Sequence, residues 1–429
     1  MNIILGAGAT GLAAGYVSGL PVFEAVDFPG GICASYYIDP ETGNRYSHYK
    51  EGCYRFEVGG GHWIFGEDSM ILSFIEKLIP VKYYKRRAAI LLSPDKELIP
   101  YPIQNHLVYL DSDTRCQVLE EMAIHQSETT HTMKDWLHMT FCPTLCRMFF
   151  YPFHALYTAG LYDKIEPQDA YKSPIKISDI VRGAFGRSNP VGYNVTFAYP
   201  KQGLDALMGT MAAGCDIRYA KRSVNIDIEK KRVFFQDGSH IDYQSIISTL
   251  PLNRMLELCK SSVRSRSNPY TSVLVVNIGA KRGNRCPTEH WIYVPKSHSG
   301  FYRIGFYSHV DASFLPKGDA THRVSIYVEK AYLGGVTLSP SDIDRACQAI
   351  INELIEWQYI SGVEVIDWTW VDIAYTWAWP MSTWVAEALN MLEQHDIYQV
   401  GRYGRWHFQG IADSLKDGLI AGAVFRRIG

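Results

Sequence analysis

Near its start the chain carries Gly6, Gly8 and Gly11 in "GAGATG", a GxGxxG spacing that directly follows the apolar run "NIIL" and opens "ATGLAAGYVSGL". Glycines so spaced permit a tight turn and let backbone approach a pyrophosphate. A helix beginning at Ala9 and Thr10 would offer that group free N–H donors and a partial positive charge. Glu24, with Ala25 beside it, ends the next apolar run "PVFEAVD", where an acid suits the hydroxyls of an adenosine ribose. Gly30 and Gly31 in "DFPGGICASY" form a second glycine turn against the same pyrophosphate. A third run, "FEVGGGHWIFG" at 56–66, removes the side chains at Gly59, Gly60 and Gly61 and then places His62 and Trp63. Bare backbone can lie close to a flat partner. The bland reading of His62 is a satisfied core histidine.

The elements that must position these groups read as an α/β chain. Gly11 to Glu24 spans only 13 residues, against about 20 in the usual fingerprint. The crossover helix must therefore be short, about ten residues or 15 Å, which still spans a five-residue strand of about 17 Å. "SVNIDIEKKRVFFQDGSHIDYQSIISTLPL" (223–252) alternates like a hairpin around "DG" and ends in a buried strand. "IYQVGRYGRWHFQGIADSLKDGLIAGAVF" (397–425) reads as strand, loop and amphipathic helix. Residues 69–79 are periodic and helical, and about 106 to 190 is a helical insertion. Strand patterns dominate from about 269 to 335, a helix follows at about 340–360, and another strand-rich stretch ends in "AYTWAWP". The organisation expected is a Rossmann-like dinucleotide-binding domain from 1–68, 195–265 and 392–429, a largely helical domain from 69–194, and a mixed β-sheet substrate domain from 266–391.

Composition narrows the function classes. The 429 residues are 47% apolar with net charge −2, which suits a large core and argues against a general nucleic-acid binder. The 28 Tyr and 10 Trp are enough to line a site for flat or sugar-like groups as well as the core. Nine cysteines are scattered with no CxxC pair and no zinc-type His pair, so reduced thiols and no metal are expected. The opening "MNIILGAGATG" has no basic leader, and no apolar run approaches the ~18 residues of a membrane span. The expectation is a soluble, cytoplasmic protein.

The glycine pair at 30–31 after the ribose acid resembles the FAD fingerprint of the amine-oxidase and protoporphyrinogen-oxidase superfamily. The 223–252 and 397–425 segments resemble that superfamily too. By that resemblance Val224 lies near the adenine, while Gly401, Arg402, Asp413 and Ser414 serve the flavin end of FAD. Within the superfamily, several motifs in order resemble UDP-galactopyranose mutases. They are "FEVGGGHWIFG", "IPYPIQNHL" (99–107), "GYNVTFAYPKQGLDAL" (192–207), "HWIYVPKSHSGFYRIGFYSHV" (290–310) and "GRYGRWHF" (401–408). The resemblance implies that Gly60, Gly61 and His62 face the isoalloxazine ring.

The activity implied is interconversion of pyranose and furanose forms of a nucleotide-diphosphate sugar, in the service of polysaccharide biosynthesis. Reduced flavin N5 is the nucleophile, forming a sugar adduct, and an external donor such as NAD(P)H must first reduce the flavin. The departing diphosphate needs cations. Arg303 in "FYRIG" is the best candidate, since a guanidinium grips two phosphate oxygens at once, although alternation alone leaves its sheet face open. Arg87, or equally Arg86, matches an arginine near the flavin carbonyls. Gln104 and Asn105 could bond sugar or flavin groups, or hold a turn. Tyr157, Asn194, Tyr302, Trp379 and Phe408 match substrate positions. Ala198 stands where the mutases have an arginine, Phe408 where they have a tyrosine, and Trp379-Pro380 where they have Tyr-Pro; no Lys-x-Trp follows "FFYPF". A lost charged hydrogen bond costs on the order of 1.5–3 kcal/mol, so these changes point away from UDP-galactose. Two other readings stay open: an FAD-dependent oxidase or desaturase with a cage of Trp63, Trp377, Trp379 and Trp406, and a non-catalytic flavin-binding protein.

Overall fold

The run "NIIL" forms β1 (Asn2–Leu5), a buried apolar strand that needs neighbours on both edges. A computed structural model, which describes residues 1–66, 68–124, 130–168, 175–186 and 195–426, places it in a five-stranded sheet. The order is Ile217–Arg218, β2 (Val22–Phe23), β1, Ser245–Ser248 and Ile397–Gln399, with every pair parallel. The crossover α1 (Ala9–Ser18) has ten residues. β2 has only two residues, not the five expected. Beyond Phe23 the chain turns, because the Glu24 carboxylate accepts the N–H groups of Ala7 at 2.7 Å and Val26 at 3.1 Å.

The C-terminal helix α2 (Ile411–Phe425) lies directly on α1. A Cβ on Gly418 would sit 2.1 Å from the Thr10 carbonyl oxygen, and one on Gly422 would sit 2.4 Å from that of Ala14. The two backbones therefore touch, and both helices begin at the same edge of the parallel sheet. Residues 223–242 form three antiparallel strands rather than one hairpin; the Asp237-Gly238 turn joins the second and third.

β3 (Tyr54–Glu57) leads out of a small antiparallel sheet into the triple glycine. The larger layer is a seven-stranded sheet containing β4 (Tyr270–Arg282), β5 (Arg303–Phe306), β6 (Arg323–Leu333) and β7 (Ile360–Thr376). Its order is β7, β4, β6, β5, Trp291–Tyr293, Ala88–Ile90 and Ile99–Pro100. One parallel pair, Trp291–Tyr293 with Ala88–Ile90, makes it mixed. Leu274, Val276, Ile304, Phe306 and Val328 form one face, buried with Ile350 and Leu354 of the helix Pro340–Glu356. Val273, Val275, Tyr327 and Trp291 pack on the other, toward the parallel half. The strand expected through 310 stops at Phe306, and Tyr307–Val310 is a helical turn. Its cause is Tyr307, which turns inward to stack on Phe314 (4.7 Å between centroids) and to donate to Asn277 Oδ1 at 3.0 Å.

The segment 106–186 is helical where described, with helices Ser112–Ala123, Met133–Phe141, Tyr151–Tyr157 and Ile177–Ala184. They enclose a core that includes Phe141, Phe149 and Phe150. Among the described residues no helix is long and apolar enough to cross a membrane.

Candidate functional site

A cleft of about 1140 Å³ opens between the parallel half and the inner face of the mixed sheet. Gly8, Ala9, Thr10, Gly30 and Gly31 line it on one side. Gly30 donates to the Ala7 carbonyl at 2.8 Å and bridges Gly8, so the two glycine turns form one surface. The three fingerprint glycines differ in what they are for. A Cβ on Gly11 would fall 1.9 Å from the Gly6 carbonyl oxygen, and Gly6, at φ +95°, would bring one 2.4 Å from Thr249 Oγ1. Those two build the turn. A Cβ on Gly8 would meet no described atom within 4 Å and would project into open cleft. Gly8 is thus bare for the sake of whatever lies there.

The loop 59–61 has a different cause from the one expected. Gly61 lines the cleft, yet its Cβ would stand 2.2 Å from the ring of Tyr327. A Cβ on Gly59 would stand 2.6 Å from His62 Cε1 and one on Gly60 3.1 Å from Glu329 Oε1. These glycines are required first by protein neighbours, and Gly60 does not reach the cleft wall. His62 does line the cleft. Its Nδ1 meets the Gly60 carbonyl at 3.1 Å, and burial lowers its pKa to about 4. The imidazole is neutral, with Nδ1–H donated to that carbonyl and a lone pair left on Nε2.

Arg303 lines the same cleft. The register sets it opposite Glu329 of β6 and Tyr293 of the neighbouring strand. Its guanidinium pairs with the buried Glu329 carboxylate, whose other oxygen accepts the Tyr302 hydroxyl at 2.5 Å. Burial is the largest influence and opposes the guanidinium charge, but the Glu329 carboxylate together with Tyr375, Tyr327 and Tyr302 outweighs it, holding the pKa well above the usual value. Arg303 Nε has no hydrogen-bond partner among the described residues. The sheet face left open by alternation is therefore the inner one, because Ile304 and Phe306 fill the opposite core.

Gly401, Arg402, Phe408, Asp413 and Ser414 also line the cleft. Arg402 donates to the carbonyls of Ala374 (2.8 Å) and Gln409 (3.2 Å) and lies 4.5 Å from the Phe408 centroid. Asp413 caps α2 by accepting the Gly410 N–H at 3.1 Å. Other sequence candidates lie elsewhere. Arg87 is outside the cleft: its guanidinium donates to the carbonyls of Thr288 (3.1 Å) and His309 (3.3 Å), because the adjoining strand Ala88–Ile90 docks at the sheet's far side. Arg86 comes nearer, lying 5.3 Å from the Tyr101 centroid, and that ring is 4.9 Å from Tyr293 of the cleft wall. Asn105 is buried beneath Gly183 of a helix. Tyr157 is off the lining and packs on Tyr375, 4.7 Å away between centroids, and Tyr302 is buried and bonded to Glu329. Trp379 donates to the Ser267 carbonyl at 2.9 Å, off the lining. Val224 is half exposed at a bulge, and Glu24 and Ala25 are not on the lining. Asn194 lies outside the described residues. Of the four tryptophans offered for a cage, only Trp63 lines the cleft; Trp377 and Trp406 are buried, joined by a 3.0 Å bond from Trp406 Nε1 to the Trp377 carbonyl.

Sequence reasoning missed Glu329, Glu57, Tyr293, Tyr375 and Arg405. An acid inside the apolar run "VSIYVEKAY" was the available signal for Glu329.

The residues present fit a dinucleotide. The cleft exceeds the ~300–1,000 Å³ of ordinary small-molecule sites. The N-termini of two helices of ten and fifteen residues open on it, offering main-chain donors to phosphate. Residues 101–424, about three quarters of the chain, match the family of flavin containing amine oxidoreductases. Among solved structures, a reduced UDP-galactopyranose mutase superposes with a TM-score of 0.83 at 20% identity, over 98% of this chain and 92% of that one. An oxidoreductase from Methanosarcina mazei gives 0.62 at 14%, over 97% and 98%, and a redesigned putrescine oxidase 0.57 at 13%, over 99% and 98%. At these identities the likeness is one of fold, and the α/β architecture is that of the mutase and oxidase group. On the family match, this chain belongs to the flavin-containing amine oxidoreductases, whose cofactor is a flavin.

Proposed function

We propose that the protein is a flavin-dependent nucleotide-sugar mutase that interconverts pyranose and furanose forms, holds FAD, and works with the cofactor reduced by an external donor such as NAD(P)H. The observation that carries this reading is Arg303, braced by Glu329 on the wall of the cleft that the glycine turns line. A cation so placed suits a second anionic ligand beside the dinucleotide. Gly8, Ala9, Thr10, Gly30 and Gly31 would hold the pyrophosphate of FAD, and Gly401, Arg402 and the first turn of α2 its flavin end. When bound and reduced, the flavin supplies the nucleophilic nitrogen that the protein's own side chains lack.

The chain's residues bind and orient. Arg303 keeps its charge while Glu329, itself held by the Tyr302 hydroxyl, fixes its head, so it can stabilise negative charge on a departing diphosphate without reorganising. His62, neutral near pH 7, can accept a hydrogen bond at Nε2. Ala198 is buried in the core, and Phe408 brings no hydroxyl to the cleft. The substrate side therefore has fewer polar handles than a UDP-galactose site would supply, which favours another nucleotide-sugar.

An oxidase or desaturase is the second reading. It is favoured by the ring cluster of Tyr157, Tyr375 and Trp377 beside Arg303 and disfavoured by the absence from the lining of three of the four cage tryptophans. The test incubates dithionite-reduced holoprotein with a panel of nucleotide-sugars and follows a pyranose-to-furanose shift by chromatography. Turnover without stoichiometric reductant is expected. Bleaching of the oxidised flavin by substrate, with peroxide release, would establish the oxidase instead.

A further inference from the structure

β3 runs straight into the loop that carries His62, and its last residue is an acid. Glu57 is wholly buried, at 0% exposure. Its two carboxylate oxygens are engaged from different sides. Oε1 accepts the Tyr199 hydroxyl at 2.5 Å, and Oε2 accepts the backbone N–H of His62 at 3.3 Å. The Tyr199 oxygen in turn accepts from Arg55 Nη2 at 3.2 Å. Arg55 sits two residues back on β3, and its guanidinium also donates to the Gln202 carbonyl (3.3 Å) and lies 3.9 Å from the Phe314 centroid. The main chain closes the turn, with Gly60 N–H reaching the Glu57 carbonyl at 3.2 Å.

Such a buried carboxylate has a poor structural rationale. An apolar side chain of similar volume would avoid its desolvation, and buried ionic groups are often no better for stability than apolar replacements. The loop it serves is built on three consecutive glycines, which pack on Ile32 and Tyr327 but carry no side chain to anchor the residue that follows, so its main chain keeps more torsional freedom than after other residues. A tie from outside the loop to the His62 N–H removes that freedom at the residue whose imidazole lines the cleft.

We propose that Glu57 is a positioning residue that fixes the root of His62, and so the place of its imidazole against the cofactor, with Tyr199 and Arg55 holding the carboxylate in register. This rests on the reading that a flavin lies against His62. Facing Glu57 are Arg55, Tyr199, Asp205, Cys33, Tyr307 and His62. Burial raises the Glu57 carboxyl to about 8; it also lifts Cys33 to about 12 and Tyr199 and Tyr307 well above their usual range, and lowers His62 to about 4. The ionised carboxylate accepts from both donors, whereas the protonated acid carries an O–H in place of one acceptor site. The tie therefore tightens as pH rises through about 8.

The experiment compares wild type, His62→Ala, Glu57→Gln and Tyr199→Phe, reading FAD affinity and the visible circular dichroism of bound FAD from pH 7 to 9. In wild type the band changes across that range. Above pH 8, where the carboxylate is ionised, Glu57→Gln should bind FAD about tenfold more weakly than wild type, the scale of one charged hydrogen bond, with an altered band that no longer depends on pH. Tyr199→Phe should shift the band in the same sense by less. If His62→Ala moves the band while Glu57→Gln keeps the wild-type band and its pH dependence, the inference is overturned and the reading of His62 stands. If His62→Ala leaves FAD affinity and band untouched, the reading of His62 falls and the inference with it. Should Glu57→Gln fail to fold, Tyr199→Phe decides alone: a wild-type band with wild-type pH dependence overturns the inference.

Discussion

On one side of the cleft the Gly8–Thr10 turn, the Gly30–Gly31 turn and the start of α2 present main chain. On the other, Arg303, Tyr293 and Tyr375 present side chains held by a seven-stranded sheet. The first side is made within short stretches, where glycine spacing and two helix starts suffice. The second depends on register: Arg303 is useful only because β6 sets Glu329 opposite it, 26 residues away in sequence. A backbone-built wall tolerates change in most side chains but not in its glycines. A wall built of side chains loses its function when one partner of a buried pair is removed.

The largest effect should come from setting two glycines of the first wall against each other. Gly11→Ala drives a Cβ into the Gly6 carbonyl, and the expected outcome is loss of folded, flavin-bearing protein. Gly8→Ala, which meets no described atom, should keep the wild-type thermal midpoint while flavin affinity falls at least about tenfold, the scale of one charge-assisted hydrogen bond. Equal behaviour of the two in thermal melts and flavin content would erase the distinction between turn-building and ligand-facing glycines.

Next comes the second wall. Glu329→Ala leaves the Arg303 guanidinium, 21% exposed, without its carboxylate; breaking a fully buried pair costs about 3–5 kcal/mol, which is the upper bound expected here. Urea unfolding should show that loss, whereas removing an exposed pair such as Arg345 with Asp342 should change stability by under about 1 kcal/mol.

A smaller effect is carried by pH. His62, His290 and His309 have pKa values lowered by burial to about 4, about 3 and about 4, below the ~6.5 of an unfolded histidine. The unfolded chain thus binds more protons, so their contribution to stability is full above about 6.5 and is lost as pH falls toward 4 and then 3. Urea midpoints measured from pH 7 to 4 should fall, and His62→Gln should flatten part of that slope.

The smallest effects test placement. Phe408→Tyr adds a hydroxyl to the cleft and should tighten nucleoside diphosphate binding by a few-fold at most, the ~0.5–1.5 kcal/mol of a neutral hydrogen bond. Arg87→Ala, outside the cleft, should leave that binding unchanged in the same titration.

The contrast between the walls also explains what could be read from the sequence. GAGATG, its short crossover and the Gly30–Gly31 pair specify their geometry locally, so the parallel sheet and the first wall followed from spacing. Gly59–Gly61 were legible as an unusual bare stretch but not for their reason, because Tyr327, whose ring Gly61 accommodates, lies more than 260 residues on. Arg87 was misplaced because it and Arg86 sit side by side between the strands Val81–Lys85 and Ala88–Ile90, and spacing alone does not say which of the two turns toward the cleft. Glu57 carries no local signal of its role, since Tyr199, which bonds it, lies 142 residues away in sequence.

The central claim is that a flavin-binding wall of main chain faces an independent anion-binding wall centred on Arg303. It is tested most directly by titrating a nucleoside diphosphate into reduced holoprotein, wild type against Arg303→Met combined with Glu329→Gln, a pair of changes that leaves no buried charge unpartnered. The account predicts unchanged flavin content and nucleotide affinity weaker by about tenfold or more. Unchanged nucleotide affinity, or loss of flavin in step with nucleotide, would contradict it.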